Sequence, residues 1–354
     1  MYNGGMNQEQ LLKWYRVQKR ELPFRKDRNP YRIWVSEIMA QQTRIEAMLV
    51  YFERFMERYP TIEALAKASE DELLKSWQGL GYYSRAKNLQ KAAQVCLEKY
   101  DGHLPSTKAE LCKLPGIGEY TAGAIASIAF KERVCAIDGN VVRVLARYLW
   151  LEQFFETKKE RQVLEDYLLA QLPIKEDMPD FTQALMELGA TICQPKKVHC
   201  DLCPLQPTCL GAKQDNPLRL PLKKPKTKRK VEEKSVIIQI AFHENAWWMH
   251  VHKRPKKGLL AGLYEFDEQL PEVIEAIYPL KPYTHIFSHK EWAMQGSLVV
   301  TKWQPNFLPL QVVCDDIAIP SAFQPFFQQA LEWFQTTLAT SPNQEITEIE
   351  SFHP

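Results

Sequence analysis

Four of the chain's eight cysteines, Cys193, Cys200, Cys203 and Cys209, fall within 17 residues; Cys96, Cys112, Cys135 and Cys314 are scattered. Spacers of six, two and five residues let four thiolates close around one metal ion or one cubic iron–sulfur cluster. Zinc sites more often pair two Cys-x2-Cys knuckles, and only one close pair occurs here, with Pro195, Pro204 and Pro207 stiffening the spacers. Chemistry alone leaves zinc and cluster open. In a reducing compartment a disulfide framework is the poorer reading.

Two carboxyls stand out by their surroundings. Glu37 lies in Ile33–Thr43, with Ile38 next to it and Trp34 and Gln41 three and four positions away. Those neighbours make its helix face not plainly polar, so the alternatives are a solvated glutamate and a carboxyl whose proton affinity is raised in an apolar pocket. Asp138 follows the apolar run Val134–Ile137 and precedes Gly139; it reads either as a helix cap or as a reactive carboxylate. Between them, Leu114-Pro115-Gly116-Ile117-Gly118 sets two glycines two apart ahead of a helix starting near Glu119. Such a turn permits close backbone approach, and the free N–H groups of the next helix favour a phosphate, although an ordinary turn between helices looks the same.

The elements that must position these groups are mostly helical up to about residue 210. Apolar residues recur at three- and four-residue intervals in Pro30–Tyr59, Thr61–Trp77, Ser84–Tyr100, Lys108–Lys113 and Tyr120–Phe130, separated by short Gly- and Pro-containing turns. Lys213–Lys234 then holds nine Lys or Arg, three acidic residues and three prolines. That composition predicts a linker, either merely solvated or touching phosphate. Beyond Ser235 the period changes: Val236–Phe242, Trp247–His252 and Gly296–Val300 predict strands, and Asp267–Leu280 and Ala322–Leu338 predict helices. The polar tail 341–354 is expected to be disordered.

With 354 residues, 45% hydrophobic and 25% charged, the chain has the balance of a two-domain globular protein. No run of about 18 apolar residues predicts a membrane span, and the first residues lack a secretory pattern, so an intracellular, cytoplasmic and nucleoid-associated location is expected. The net charge of +2 neither demands nor excludes a nucleic-acid partner.

Several of these motifs occur together in one known group. The cysteine spacing, Leu114–Phe130 and Ala136–Val144 resemble the iron–sulfur loop, helix–hairpin–helix and catalytic-aspartate motif of the endonuclease III superfamily of DNA glycosylases. The resemblance implies a [4Fe–4S] cluster on Cys193, Cys200, Cys203 and Cys209 that shapes a DNA-facing loop carrying Lys196, Lys197 and His199. It also implies DNA contacts from Leu114, Gly116 and Gly118. Members that also cut the strand carry a lysine where this chain has Tyr120, and a tyrosine cannot form a Schiff base. Tyr120, the Gln41-Gln42-Thr43 stretch after Glu37, Leu22–Arg25 and Gly79–Tyr83 are similar to adenine glycosylases of the MutY type.

That resemblance assigns roles residue by residue. Adenine leaves more readily once a ring nitrogen is protonated, so Glu37 is expected to protonate the base, while ionised Asp138 stabilises or traps the sugar cation. Arg25 and Asn140 are expected to support the carboxylates and the leaving base, with Tyr120 beside them. Gln42, Thr43, Leu80 and Tyr82 are expected at the opposite base, with Tyr82 wedged into the stack; the alternative for Leu80 and Tyr82 is that they are packed loop residues. Downstream, Lys253–Phe266 resembles the start of a Nudix (MutT-like) domain. Glu272 and Glu275, on the helix predicted there, do not rebuild a magnesium-binding array, so binding rather than pyrophosphate hydrolysis is expected. Phe287-Ser288-His289 resembles the loop by which such enzymes recognise 8-oxoguanine.

The expected architecture is thus multi-domain. An all-α helix–hairpin–helix glycosylase domain with its cluster loop spans 1–212, the basic linker 213–234, and an α+β Nudix-like domain 235–340. The N-terminal helix and residues after about 130 are expected to form the cluster lobe, and residues about 25–127 a helical barrel. The expected partner of this monomer is double-stranded DNA with an 8-oxoguanine:adenine or guanine:adenine mispair. Two rivals are a strand-cutting glycosylase acting on oxidised pyrimidines and a non-catalytic damage-binding protein.

Overall fold

In the computed structural model, which describes residues 5–225 and 228–340, eleven α-helices precede the sheet region. They are α1 (Gln8–Gln18), α2 (Pro30–Ala40), α3 (Ile45–Arg58), α4 (Ile62–Lys67), α5 (Glu70–Ser76), α6 (Ser84–Lys99), α7 (Lys108–Leu111), α8 (Glu119–Phe130), α9 (Gly139–Tyr148), α10 (Lys158–Leu169) and α11 (Met178–Thr191). Their starts follow local capping chemistry. Asn29 accepts from the amides of Tyr31 and Arg32 ahead of Pro30, and Ser69 and Thr157 form capping boxes with Glu72 and Glu160. The stretch 30–59 is two helices rather than one, because Gln42 adopts a left-handed φ of 58° and turns the chain between α2 and α3. The stretch 61–77 likewise divides at Ala68–Ser69.

The described residues fall into two compact units, one drawn from Met1–Ala68 and Ser84–Lys226, the other from Ser69–Tyr83 and Thr227–Pro354. In the first, α1 packs on α11, and its Leu11, Leu12 and Tyr15 join one core with Val141, Leu145, Phe181, Leu185 and Leu205. The stretch 213–225, read as part of a solvated linker, is instead partly built in. Leu220 is 1% exposed, and its carbonyl accepts from Arg147 Nε at 2.9 Å. A buried apolar side chain and a cationic donor thus anchor a segment whose composition alone reads as a solvated connector.

In the second unit, five strands order as β5-β6-β1-β2-β7: β1 (Lys230–His243), β2 (Ala246–Met249), β5 (Ala276–Ile286), β6 (Lys290–Val300) and β7 (Leu308–Pro309). A separate pair joins β3 (His252–Lys253) and β4 (Tyr264–Glu265). β1 runs parallel to β6, from Lys230 opposite Lys290 to Ile240 opposite Val300. The helices are α12 (Leu310–Asp315) and α13 (Gln324–Thr340), with Phe326, Ala330 and Phe334 in the core beneath the sheet. The helix expected over Asp267–Leu280 is absent. That stretch is loop up to Glu275 and then β5, antiparallel to β6. Pro271 and Pro279 deny a helix its amides, and β6 supplies the ladder that Ile277, Tyr278 and their neighbours prefer. The tail 341–354, expected to be disordered, lies outside the described residues.

Candidate active site

The first carboxyl is delivered by a nearly buried helix. Ile33, Trp34, Val35, Ile38 and Met39 of α2 are all 3% exposed or less, which leaves Glu37 half-buried at the rim of that apolar surface. The C-terminal end of α2 would leave carbonyls unpaired, and Arg85 Nη1 donates to those of Ile38, Met39 and Gln41 at 2.9, 2.9 and 2.6 Å. Gln41 Nε2 then donates to Thr121 Oγ1 at 3.2 Å and ties the helix end to α8.

The second carboxyl arrives on the strand-like run before α9. A Cβ at Gly123 would lie 2.2 Å from the carbonyl oxygen of Cys135, so only glycine lets α8 press against that run. Asp138 is the N-cap of α9: Oδ1 accepts from the Val141 amide and Oδ2 from Asn140 Nδ2, each at 2.7 Å. The cap reading of Asp138 therefore holds. Arg143 Nη2 holds Asn140 Oδ1 at 2.7 Å and the Gly189 carbonyl at 2.7 Å, while its Nε donates to the Cys193 carbonyl at 2.8 Å.

These groups meet. Glu37, Tyr120, Asp138, Asn140 and Arg25 line one cavity of about 510 Å³, together with Arg20, Gln42, Thr43 and Glu187, within the range of roughly 300–1,000 Å³ that holds small organic ligands. Tyr120 Oη donates to Glu37 Oε2 at 2.6 Å. Burial pushes the Glu37 carboxyl up to about 7; the Tyr120 hydrogen bond opposes the shift, nearby Asp138 adds to it, and Arg25 opposes it. Burial also raises Asp138, against the pull of the Val141 amide, Asn140 and Arg143. Two acids with different donor sets thus face one cavity.

Sequence reading missed Glu187. It is completely buried on α11 and lines the same cavity, accepting from Arg20 Nε at 2.8 Å and Arg25 Nη2 at 2.8 Å. Burial alone would raise its carboxyl, but the two guanidiniums hold it below the ordinary range. Arg25 therefore pairs with this third acid. The available signal was an acid between Met186 and Leu188 in an apolar helix, the pattern that marked Glu37.

The remaining expected site residues lie elsewhere. In the hairpin, Gly116 has φ 75°, and a Cβ there would lie 2.6 Å from that of Asn88. Gly118 caps α8 in an extended conformation beside open space, and Leu114 is buried. In the second unit, Tyr82 is 49% exposed with φ 47°, whereas Leu80 is buried. The Phe287-Ser288-His289 turn joins β5 to β6, closed by the Phe287 amide donating to the Lys290 carbonyl at 2.9 Å. Phe287 packs edge-on against His285 and Trp292, while Ser288 and His289 are exposed.

The four clustered cysteines line one small apolar cavity with Arg147, His199 and Gly211. Arg147 Nη1 approaches Cys193 Sγ at 3.3 Å, and a Cβ at Gly211 would lie 2.5 Å from the Arg147 carbonyl. Four thiols around one small apolar cavity, with a guanidinium at one sulfur, suit an anionic thiolate-ligated group.

Residues 35–168 match the family described as HhH-GPD superfamily base excision DNA repair protein. The chain is 37% identical over 257 residues to the adenine DNA glycosylase of Buchnera aphidicola subsp. Schizaphis graminum, covering 72% of this chain and 73% of that one. It is 45% identical over 209 residues to the rat adenine DNA glycosylase, covering 56% of this chain but 40% of the longer relative. Among solved structures, a non-covalent endonuclease III–DNA complex superposes with a TM-score of 0.50 at 25% identity, over 58% of this chain and 93% of that one. A thermostable thymine-DNA glycosylase gives 0.53 at 27% identity, over 58% of this chain and 94% of that one.

Proposed function

We propose that this chain, which belongs to the adenine DNA glycosylase family of the HhH-GPD superfamily, hydrolyses the N-glycosidic bond of adenine mispaired with 8-oxoguanine or guanine. The observation that carries this reading is the shared cavity of Glu37 and Asp138. An adenine turned out of the duplex enters that cavity. Glu37, protonated near neutral pH because of burial, gives its proton to a ring nitrogen of the leaving base. Asp138, held by the Val141 amide and Asn140, stabilises or traps the developing sugar cation before water completes hydrolysis. Glu187, whose two oxygens accept from Arg20 and Arg25, fixes both guanidiniums on the same wall.

Tyr120 stands where a Schiff-base lysine would be needed, so the product is an abasic site with an intact strand. Cys193, Cys200, Cys203 and Cys209 would hold a [4Fe–4S] cluster, whose contribution is to stiffen the loop rather than to act on the bond. The second unit, Nudix-like in its Lys253–Phe266 segment, reads the opposite base: the Phe287 ring anchors the turn, and Ser288 and His289 are presented to DNA. Gln42, Thr43 and Tyr82 contact the duplex around that base, and the hairpin at Leu114, Gly116 and Gly118 contacts phosphate.

Single-turnover adenine release from duplexes with 8-oxoguanine, guanine or thymine opposite adenine tests the reading. Release should be fastest opposite 8-oxoguanine, with no borohydride-trapped adduct. Trapping would favour the strand-cutting alternative, and tight binding without release would favour a damage-binding protein.

A further inference from the structure

We propose that Lys75 is a positioning residue, which makes the exposed Tyr82 loop a working part of the second unit. The inference rests on the reading above for Tyr82 and adds what aims it. In sequence, Ser69–Tyr83 lies among the helices of the first unit, yet it clusters with the sheet region. The contacts are specific. Lys75 Nζ on α5 donates to the Cys314 and Ile317 carbonyls, at 2.5 and 3.1 Å, at the C-terminal end of α12. Those carbonyls lack helical partners, and a cation there suits the negative end of the helix dipole. One turn earlier, Asp71 accepts from Lys253 Nζ at 2.8 and 3.0 Å, which anchors α5 to β3.

From α5 to Tyr82 the chain has little freedom. Trp77 follows the helix directly and is fully buried, and its Nε1 donates to the Gly81 carbonyl at 3.1 Å. Gly79, Gly81 and Tyr82 take φ of 97°, 68° and 47°, a course that brings Tyr82 out to 49% exposure. The backbone course that exposes Tyr82 thus starts from α5, which Lys75 and Asp71 tie to the Cys314 and Ile317 carbonyls and to β3. The same unit carries Ser288 and His289, so the wedge and the base-reading turn share one scaffold.

The test uses the full chain with Lys75→Met, which keeps the stem and removes the donors, and Lys75→Arg, which restores a cation. The ratio of single-turnover adenine release, 8-oxoguanine over guanine, should fall about tenfold in Lys75→Met and recover in Lys75→Arg. In a Tyr82→Ala background Lys75→Met should change the ratio no further, because one acts through the other. An unchanged ratio, or fully additive effects, overturns the proposal. If Lys75→Met does not fold, Asp71→Asn carries the test, with a smaller fall and the same non-additivity expected and an unchanged ratio again overturning it. Failure of the functional reading is distinct, since wild type would then release adenine from none of the duplexes.

Discussion

The Tyr120 hydroxyl donates to Glu37 Oε2 across 2.6 Å, so the carboxyl proposed as general acid is held by a side chain in the first turn of α8. The bond stabilises the ionised form of Glu37, against the burial that pushes this carboxyl up to about 7. A general acid acts only while protonated, so single-turnover adenine release should fall as pH rises through about 7. Tyr120→Phe removes the donor and should move that alkaline limb to higher pH. A pH–rate profile of both proteins checks the sign.

Glu37→Gln and Asp138→Asn should each slow adenine release by about 10²–10⁴-fold. Binding to an 8-oxoguanine:adenine duplex should change far less, which an equilibrium titration beside the single-turnover assay would reveal.

The same acid makes stability depend on pH. The folded carboxyl titrates near 7, above its ordinary value of 4.5. Below about 4.5 both folded and unfolded chains hold the proton. Between the two values only the folded chain does, so stability falls with rising pH across that window, and the loss is complete above about 7. Glu37→Gln removes the penalty. It should be more stable than wild type by about 1–2 kcal/mol at pH 8, allowing for solvent in the cavity. Thermal melts should show the difference vanishing near pH 4.

Arg143 joins the cysteine loop to Asp138 through Asn140. Arg143→Met should cost about 2–4 kcal/mol of stability, because buried carbonyls lose their donor. It should also slow adenine release by up to about 100-fold through displacement of Asp138. Denaturant melts and single-turnover rates measure the two effects separately.

The full chain purified without oxygen should contain iron and acid-labile sulfide in a ratio of roughly 4:4 per chain. Cys203→Ser should lower both and destabilise the loop, as iron analysis and limited proteolysis would show. Zinc in place of iron would return the site to the other reading its spacing allows.

What the sequence determined by itself was whatever depends on residue type and short spacing. The four clustered cysteines, the two-glycine hairpin, an acid on an apolar helix face and the aspartate before Gly139 are local patterns, and each falls on the element its pattern required. The change of period near residue 235 marked the sheet region for the same reason. Tertiary structure decided the rest, because it depends on which surfaces meet. Asp267–Leu280 offered apolar residues at helical spacing, yet β6 was there to supply a ladder, so the segment became loop and strand. Glu187 became part of the cavity only because Gly189 lets α11 approach Asn140, where a Cβ would stand 2.6 Å from that side chain's own. Nothing within a few residues of Ser69–Tyr83 says that it joins the second unit. Its anchors lie far along the chain: the Cys314 and Ile317 carbonyls, more than 200 residues away, accept from Lys75, and Lys253 pairs with Asp71.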